Sequence, residues 1–274
     1  MSVDLSLPKK VLVVHGVQTG IDADQSQNKI IDVTLSKYLD GVDYSTDIFK
    51  YEDINDAAQL PYKRIVSALS GNPLTEMAAT TAIDLAGDVL IALTKGSVYD
   101  EIIGKLRKKI MESFEKGEPL FLVAHSLGTI YAFDAVNQLM KENDCFLYNQ
   151  KETWPIQGLI TLGSPISLDL FGRDDKKMSS LIPDGETVDD ENSQLFPWQN
   201  YWDPTDPVVS GSVAGLPWNE KSFEKRFNDN NTYPLGWDVM PRPVISGTAY
   251  VSAHSAYWED EFVSGGIAQM IRRG

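Results

Sequence analysis

The chain has 274 residues, 42% of them hydrophobic, and a formal charge of −15 at pH 7. That length and apolar content suit one large α/β domain or two small ones, and they exclude global disorder. So acidic a body repels phosphate backbones and anionic lipid surfaces, which argues against nucleic acid as a partner. The single cysteine, Cys145, rules out an intrachain disulfide and any thiolate metal cluster. The start, Met1 to Pro8, carries an early acid and no long apolar core, so it does not read as a secretory signal. No uncharged run reaches membrane-spanning length. A cytoplasmic setting is expected, although a secreted bacterial enzyme without disulfides would fit the same composition.

In chain order, Lys10 to Val14 predicts a buried strand, closed by the glycine-bearing loop His15-Gly16-Val17-Gln18-Thr19-Gly20. Ile21 to Leu39 has helical spacing, with Ile30, Ile31, Leu35 and Leu39 apolar. Asp43 to Tyr51 predicts a half-buried strand. Strand, helix, strand at this spacing argues for a parallel sheet with crossovers. Residues 52–73 are mixed, and Thr75 to Lys95 is broadly apolar and helical, ended by Gly96. Residues 52–96 thus read as an insertion whose helix is either core or a cap over a site. Asp84 and Asp88 argue against a membrane span there. Ser97 is placed to cap the next helix, with Tyr99, Ile102, Ile103, Leu106, Ile110 and Phe114 as its apolar stripe. Its Lys105, Arg107, Lys108 and Lys109 read as a solvated face.

The central stretch is Leu120 to Leu139. Pro119 blocks a helix from entering, and Leu120 to Ala124 is an apolar run of strand length. From Ile130 the spacing turns helical, with Ile130, Phe133, Val136 and Leu139 on one face. Between them Ala124-His125-Ser126-Leu127-Gly128 makes a short turn with Ser126 at its apex. That layout matches a nucleophile elbow, in which a tight strand-to-helix turn lifts a serine hydroxyl above a sheet. The plainer reading is a serine that caps a helix. Gln157 to Leu162 is the next strand, ending at Gly163-Ser164-Pro165. Residues 168–196 form an acidic excursion, read as a surface loop or lid. Pro197 to Trp202 predicts a strand leading into Asp203-Pro204-Thr205-Asp206-Pro207. Residues 210–236 are loop-like and aromatic. Val244 to Val251 is expected as the last strand, before His254 and an apolar terminal helix carrying Phe262, Ile267, Met270 and Ile271.

A serine hydroxyl attacks well only when a base takes its proton and a carboxylate orients that base. The chain has three histidines. His125 should point away from Ser126 by strand alternation. His15 sits where backbone matters more than ring. His254 remains as the base. Asp206 is the candidate acid, with Asp203 competing, and a turn-capping role before Pro207 is its alternative. The order Ser126, Asp206, His254 is the triad order of α/β-hydrolases. The amides of Val17 and Leu127 are the candidate oxyanion donors, and Gly16 would let the first of them turn inward.

Taken together, Val14-His15-Gly16, Ala124-His125-Ser126-Leu127-Gly128, Thr161-Leu162-Gly163-Ser164-Pro165, Asp206-Pro207-Val208-Val209 and His254-Ser255-Ala256-Tyr257-Trp258 resemble the lipase-like serine esterase branch of the α/β-hydrolases. The resemblance spans nearly the whole chain. It implies one domain over residues 1–274, with a mostly parallel central sheet flanked by helices and with cap and lid-like insertions at 52–96 and 168–196. It also implies hydrolysis of a carboxylic ester, small-molecule or lipid, through an acyl-enzyme that needs no metal or cofactor. Ala124 departs from the glycine usual at that place. An inactive hydrolase-fold binding protein and an acyltransferase are the alternatives.

Overall fold

The computed structural model describes residues 2–15, 32–51, 96–142, 156–165, 196–210, 237–244 and 251–274. Both insertions, at 52–96 and 168–196, lie outside these residues except for Gly96 and Phe196, as does Val17. Strands β1 (Lys9–Val14), β2 (Tyr44–Phe49), β3 (Leu120–His125), β4 (Ile156–Leu162), β5 (Phe196–Trp202) and β6 (Trp237–Pro243) form one sheet. Over the described residues it is six-stranded, in the order β2-β1-β3-β4-β5-β6. Every neighbouring pair is parallel. The fold class is therefore α/β with a parallel central sheet, as the strand–helix–strand rhythm of the sequence predicts.

The near-continuous apolar runs of β1, β3 and β4 are explained by cover on both faces. Side chains alternate across the sheet, and the two sets enter different cores. Leu12, Val14, Leu120, Leu122, Ala124 and Leu159 join one core. Val11, Val13, Phe121, Val123, Ile160 and Leu162 join the other. The first face is covered by α1 (Ser97–Glu115) and α2 (Gly128–Glu142), through Ile102, Leu106, Ile110, Ile130 and Phe133. The second is covered by Leu35 and Leu39 and by α5 (Glu261–Arg273), through Val263, Ile267 and Ile271. Among the described residues between β5 and α5 are two short helices, α3 (Pro207–Ser210) and α4 (Val251–Ala256). Among the described residues no helix is long and apolar enough to cross a membrane.

Three details differ from the sequence reading. A strand runs over Trp237–Pro243, which the sequence reading does not expect, and Val251 opens α4; residues 245–250 of the strand expected over Val244 to Val251 lie outside the described residues. Prolines normally argue against a strand. Among the described residues β6 is an outer strand, and Val244 N donates to Trp202 O at 2.8 Å. Even-numbered amides therefore face β5, and the nitrogens of Pro241 and Pro243 face outward, where no ladder hydrogen bond is lost. Second, Ser97 does not cap α1. Gly96 occupies that position, extended at φ −86 and ψ −173, with no side-chain cap bond. Third, the basic residues of α1 are not simply a solvated face. Arg107 Nη1 donates to Gln138 Oε1 at 3.1 Å, tying α1 to α2, and Lys109 pairs with Asp47 of β2 at 2.8 Å. Of the helix expected over Ile21 to Leu39, residues 32–36 are helical and the part before them lies outside the described residues.

Candidate active site

Ser126 follows directly on β3, and α2 begins two residues later at Gly128. Ser126 has φ +54, the one non-glycine residue with positive φ among those described. A residue with a Cβ is held there only at a cost of about 1–3 kcal/mol, so the surroundings must enforce it. They do so from both ends. Ser126 N donates to Leu162 O at 2.9 Å, clamping the turn to the end of β4. Thr129 Oγ1 donates to Ser126 O at 2.6 Å and lies 2.6 Å from Ser164 Oγ. With its one proton committed to Ser126 O, Thr129 must accept from Ser164. The polar chain thus runs from the Gly-Ser-Pro turn into the elbow.

Gly128 shows why the second small residue of the motif is needed. A Cβ there would overlap the carbonyl oxygens of Val14 and His15 and stand 2.8 Å from His15 C. The backbone of the loop after β1 therefore runs directly against the start of α2. The His15 carbonyl accepts the Tyr51 hydroxyl at 2.8 Å. Its ring is stacked on Tyr51, with centroids 5.5 Å apart. Val17 follows two residues on, outside the described residues. Leu127, buried, supplies one of the first amides of α2, which lack intrahelical acceptors by position.

Asp206 lies between β5 and α3, and His254 lies on α4. His254 Nδ1 and Asp206 Oδ2 are 2.9 Å apart. The Asp206 side chain is fully buried and that of His254 is 17% exposed. A carboxylate that receives Nδ1–H leaves the lone pair on Nε2, the nitrogen able to take a proton from a hydroxyl. Asp206 Oδ1 accepts Val208 N at 2.8 Å, and Oδ2 also accepts the Tyr257 hydroxyl at 2.8 Å. Asp203 has different work. Its Oδ1 accepts Thr205 N at 2.7 Å and Thr205 Oγ1 at 2.6 Å, a local turn closure. Of the two candidate acids, Asp206 is the one bonded to His254.

The serine turn meets this pair at Gly163. Gly163 follows Leu162, which holds Ser126 N, and has φ +55. A Cβ at Gly163 would stand 2.8 Å from Tyr257 Cε2, 2.9 Å from Asp206 Oδ2 and 3.1 Å from His254 Nδ1. Both its conformation and its neighbours therefore call for glycine.

His125 is closer to the pair than strand alternation suggests. Its ring lies 4.6 Å from that of His254 and 5.2 Å from that of Trp258. Its Nε2 stands 2.7 Å from the His254 carbonyl oxygen, so that nitrogen carries the proton and donates. Burial first, then the neighbouring His254 ring, hold His125 well below the ordinary histidine range, and it is neutral. The unfolded chain takes up this proton near pH 6.5, whereas the folded chain does so only at lower pH. The unfolded state then binds more protons, and stability falls as pH drops below that value, by at most about 1.4 kcal/mol per pH unit. His125→Gln, which keeps a donor, should flatten this dependence. Urea midpoints at pH 7.5 and 5.5 compare the two, and equal slopes would contradict it.

Sequence reading did not find the parts played by Tyr257, His125 and Gly163. The signal for Tyr257 was its position three residues past His254, one helical turn on. Among the described residues no group of three or more His, Cys, Asp or Glu is arranged to hold a metal ion.

No protein-family model matches the chain, and no curated protein matches it in sequence. Solved structures do. One of those it is similar to bears the name of the α/β-hydrolase superfamily. A candidate hydrolase of that superfamily from Xanthomonas campestris pv. campestris is 9% identical at a TM-score of 0.43, over 97% of this chain and 98% of that one. An esterase of Pyrococcus furiosus is 14% identical at 0.45, over 99% and 85%. A soluble variant of monoglyceride lipase from Saccharomyces cerevisiae, solved with a substrate analogue, is 14% identical at 0.39, over 99% and 88%. At such identities and scores, what this chain does has to be read from its own residues.

Proposed function

We propose that this chain is a serine hydrolase that cleaves a carboxylic ester with a largely apolar acyl group. Ser126 attacks the carbonyl carbon while His254 Nε2 takes its proton. Asp206 orients His254 through Nδ1 and stabilises the imidazolium that forms. The Leu127 amide at the start of α2 and the Val17 amide from the loop after β1 hold the oxyanion. His254 then returns the proton to the leaving alcohol, and water reverses the sequence on the acyl-enzyme.

One observation carries this reading. The hydrogen bond from His254 to Asp206 stands at the end of the parallel sheet where the left-handed Ser126 turn sits. A merely capping serine needs no strained turn, and a merely structural histidine needs no buried carboxylate. The test is stopped-flow hydrolysis of p-nitrophenyl esters of graded chain length. The wild type should show a p-nitrophenol burst matching the enzyme concentration, and Ser126→Ala should lose the burst and at least about 10³-fold in turnover. Turnover retained by Ser126→Ala would overturn the assignment.

A further inference from the structure

We propose that Tyr257 is a positioning residue for the triad acid, fixing through its hydroxyl which oxygen of Asp206 faces His254 and how much of its charge that histidine receives. The inference rests on the catalytic reading of Asp206 and His254.

It begins with the direction of one hydrogen bond. The Tyr257 hydroxyl has one proton and can also accept. Asp203 N stands 2.8 Å from this oxygen, and an amide can only donate. The hydroxyl's own proton must then go to its other partner, Asp206 Oδ2, at 2.8 Å. The tyrosine is buried, and burial followed by the Asp206 charge pushes its hydroxyl well above the ordinary tyrosine range. It stays a neutral donor at every pH at which an ester hydrolase is assayed.

Asp206 Oδ2 therefore receives two donors, Tyr257 Oη and His254 Nδ1, while Oδ1 receives the Val208 amide. With both oxygens engaged, the carboxyl cannot rotate without breaking bonds in a fully buried place. The tyrosine also competes with the histidine for the charge on one oxygen. The second candidate acid finds its use here. Asp203 turns the chain through Thr205, and its amide aims the tyrosine. Gly163 completes the cradle, because any Cβ there would press on the tyrosine ring, Oδ2 and Nδ1 together.

Among the described residues, the titratable or charged groups facing His254 are Asp206 from the loop after β5 and His125 from the end of β3. Tyr257 faces it from its own segment through Asp206, and Asp203 lies behind Tyr257. His125 is neutral, so the balance at His254 turns on Asp206 and on the tyrosine that shares its oxygen.

Tyr257→Phe removes only the hydroxyl. More of the Asp206 charge then falls on His254, whose imidazolium is favoured. The His254 titration, read by NMR on protein labelled with ¹⁵N-histidine, should move up by about 0.3–1 pH unit, and the acid limb of kcat/KM should move with it. kcat should nonetheless fall about 3–10-fold with KM within about twofold, because a carboxyl no longer held by the tyrosine keeps His254 less well aimed during the reaction. A His254 midpoint and acid limb that stay in place would overturn the proposal. If the wild type has no esterase activity but the His254 midpoint still moves, the positioning role stands and the hydrolase reading falls. If Tyr257→Phe does not fold, 3-fluorotyrosine placed at 257 alone keeps the shape and donates more strongly. It should shift the midpoint down, and an unmoved midpoint overturns the proposal equally.

Discussion

Asp206→Asn is expected to lower kcat/KM for ester hydrolysis by about 10³–10⁴-fold, whereas Asp203→Asn should cost less than about tenfold. The two acids are three residues apart and both are buried, so burial does not separate them. Their partners do. Asp206 Oδ2 meets His254 Nδ1 at 2.9 Å. An amide at 206 can turn its oxygen toward Nδ1, but it loses the charge that stabilises the imidazolium. Turned the other way, it presents N–H and forces the wrong histidine tautomer. The Tyr257 proton and the Val208 amide also need acceptors there, and a carboxamide has only one oxygen to serve them. Asp203 instead accepts Thr205 N and Thr205 Oγ1 on a single oxygen. An asparagine oxygen can accept both. Steady-state kinetics on the two variants, each shown to be folded by near-UV circular dichroism, makes the comparison. Equal losses would mean that the acid has been misassigned.

Gly128→Ala should be the most damaging single methyl addition to the elbow, destabilising the fold by about 3 kcal/mol or more. The added Cβ would overlap the carbonyl oxygens of Val14 and His15, and both belong to backbone. β1 is locked on either side by β2 and β3, so its end cannot retreat. α2 cannot retreat either, because Ile130 and Val136 are buried in the core beneath it. The strain falls on the turn that holds Ser126 at positive φ, so activity should be lost along with stability. A urea unfolding series measures the first, and a variant within about 1 kcal/mol of wild type would contradict the close approach. Gly104→Ala is the control, since its Cβ would meet nothing within 4 Å.

The sheet and the elbow were legible because their signals are local. The short apolar runs of β1 and β3, set off by Gly16 after the one and Pro119 before the other, fit strands covered on both faces. The small residues around Ser126 announce a turn in which strand and helix come close. His254 could be reached by elimination among three histidines. The choice between Asp203 and Asp206 could not, since each sits in a turn beside a proline and only contact across 48 residues distinguishes them. The strand at Trp237–Pro243 is hard to read for a related reason. Pro241 and Pro243 forbid a central strand, and nothing in the local sequence says that this one lies at the outside of the sheet. Ser97 looked like a cap because serine usually is one, but a glycine in extended conformation already stood at that place. The neighbourhood of His125 was hidden as well. Strand alternation gives the face of a side chain but not which distant helix covers that face.

The most direct measurement is covalent labelling with a fluorophosphonate followed by peptide mapping. The proposed mechanism predicts a single phosphonyl adduct on Ser126, formed in the native protein and not in urea, and slowed at least about 10³-fold in His254→Ala. No adduct on the folded chain, an adduct on another serine, or labelling of Ser126 that ignores the loss of His254 would contradict it.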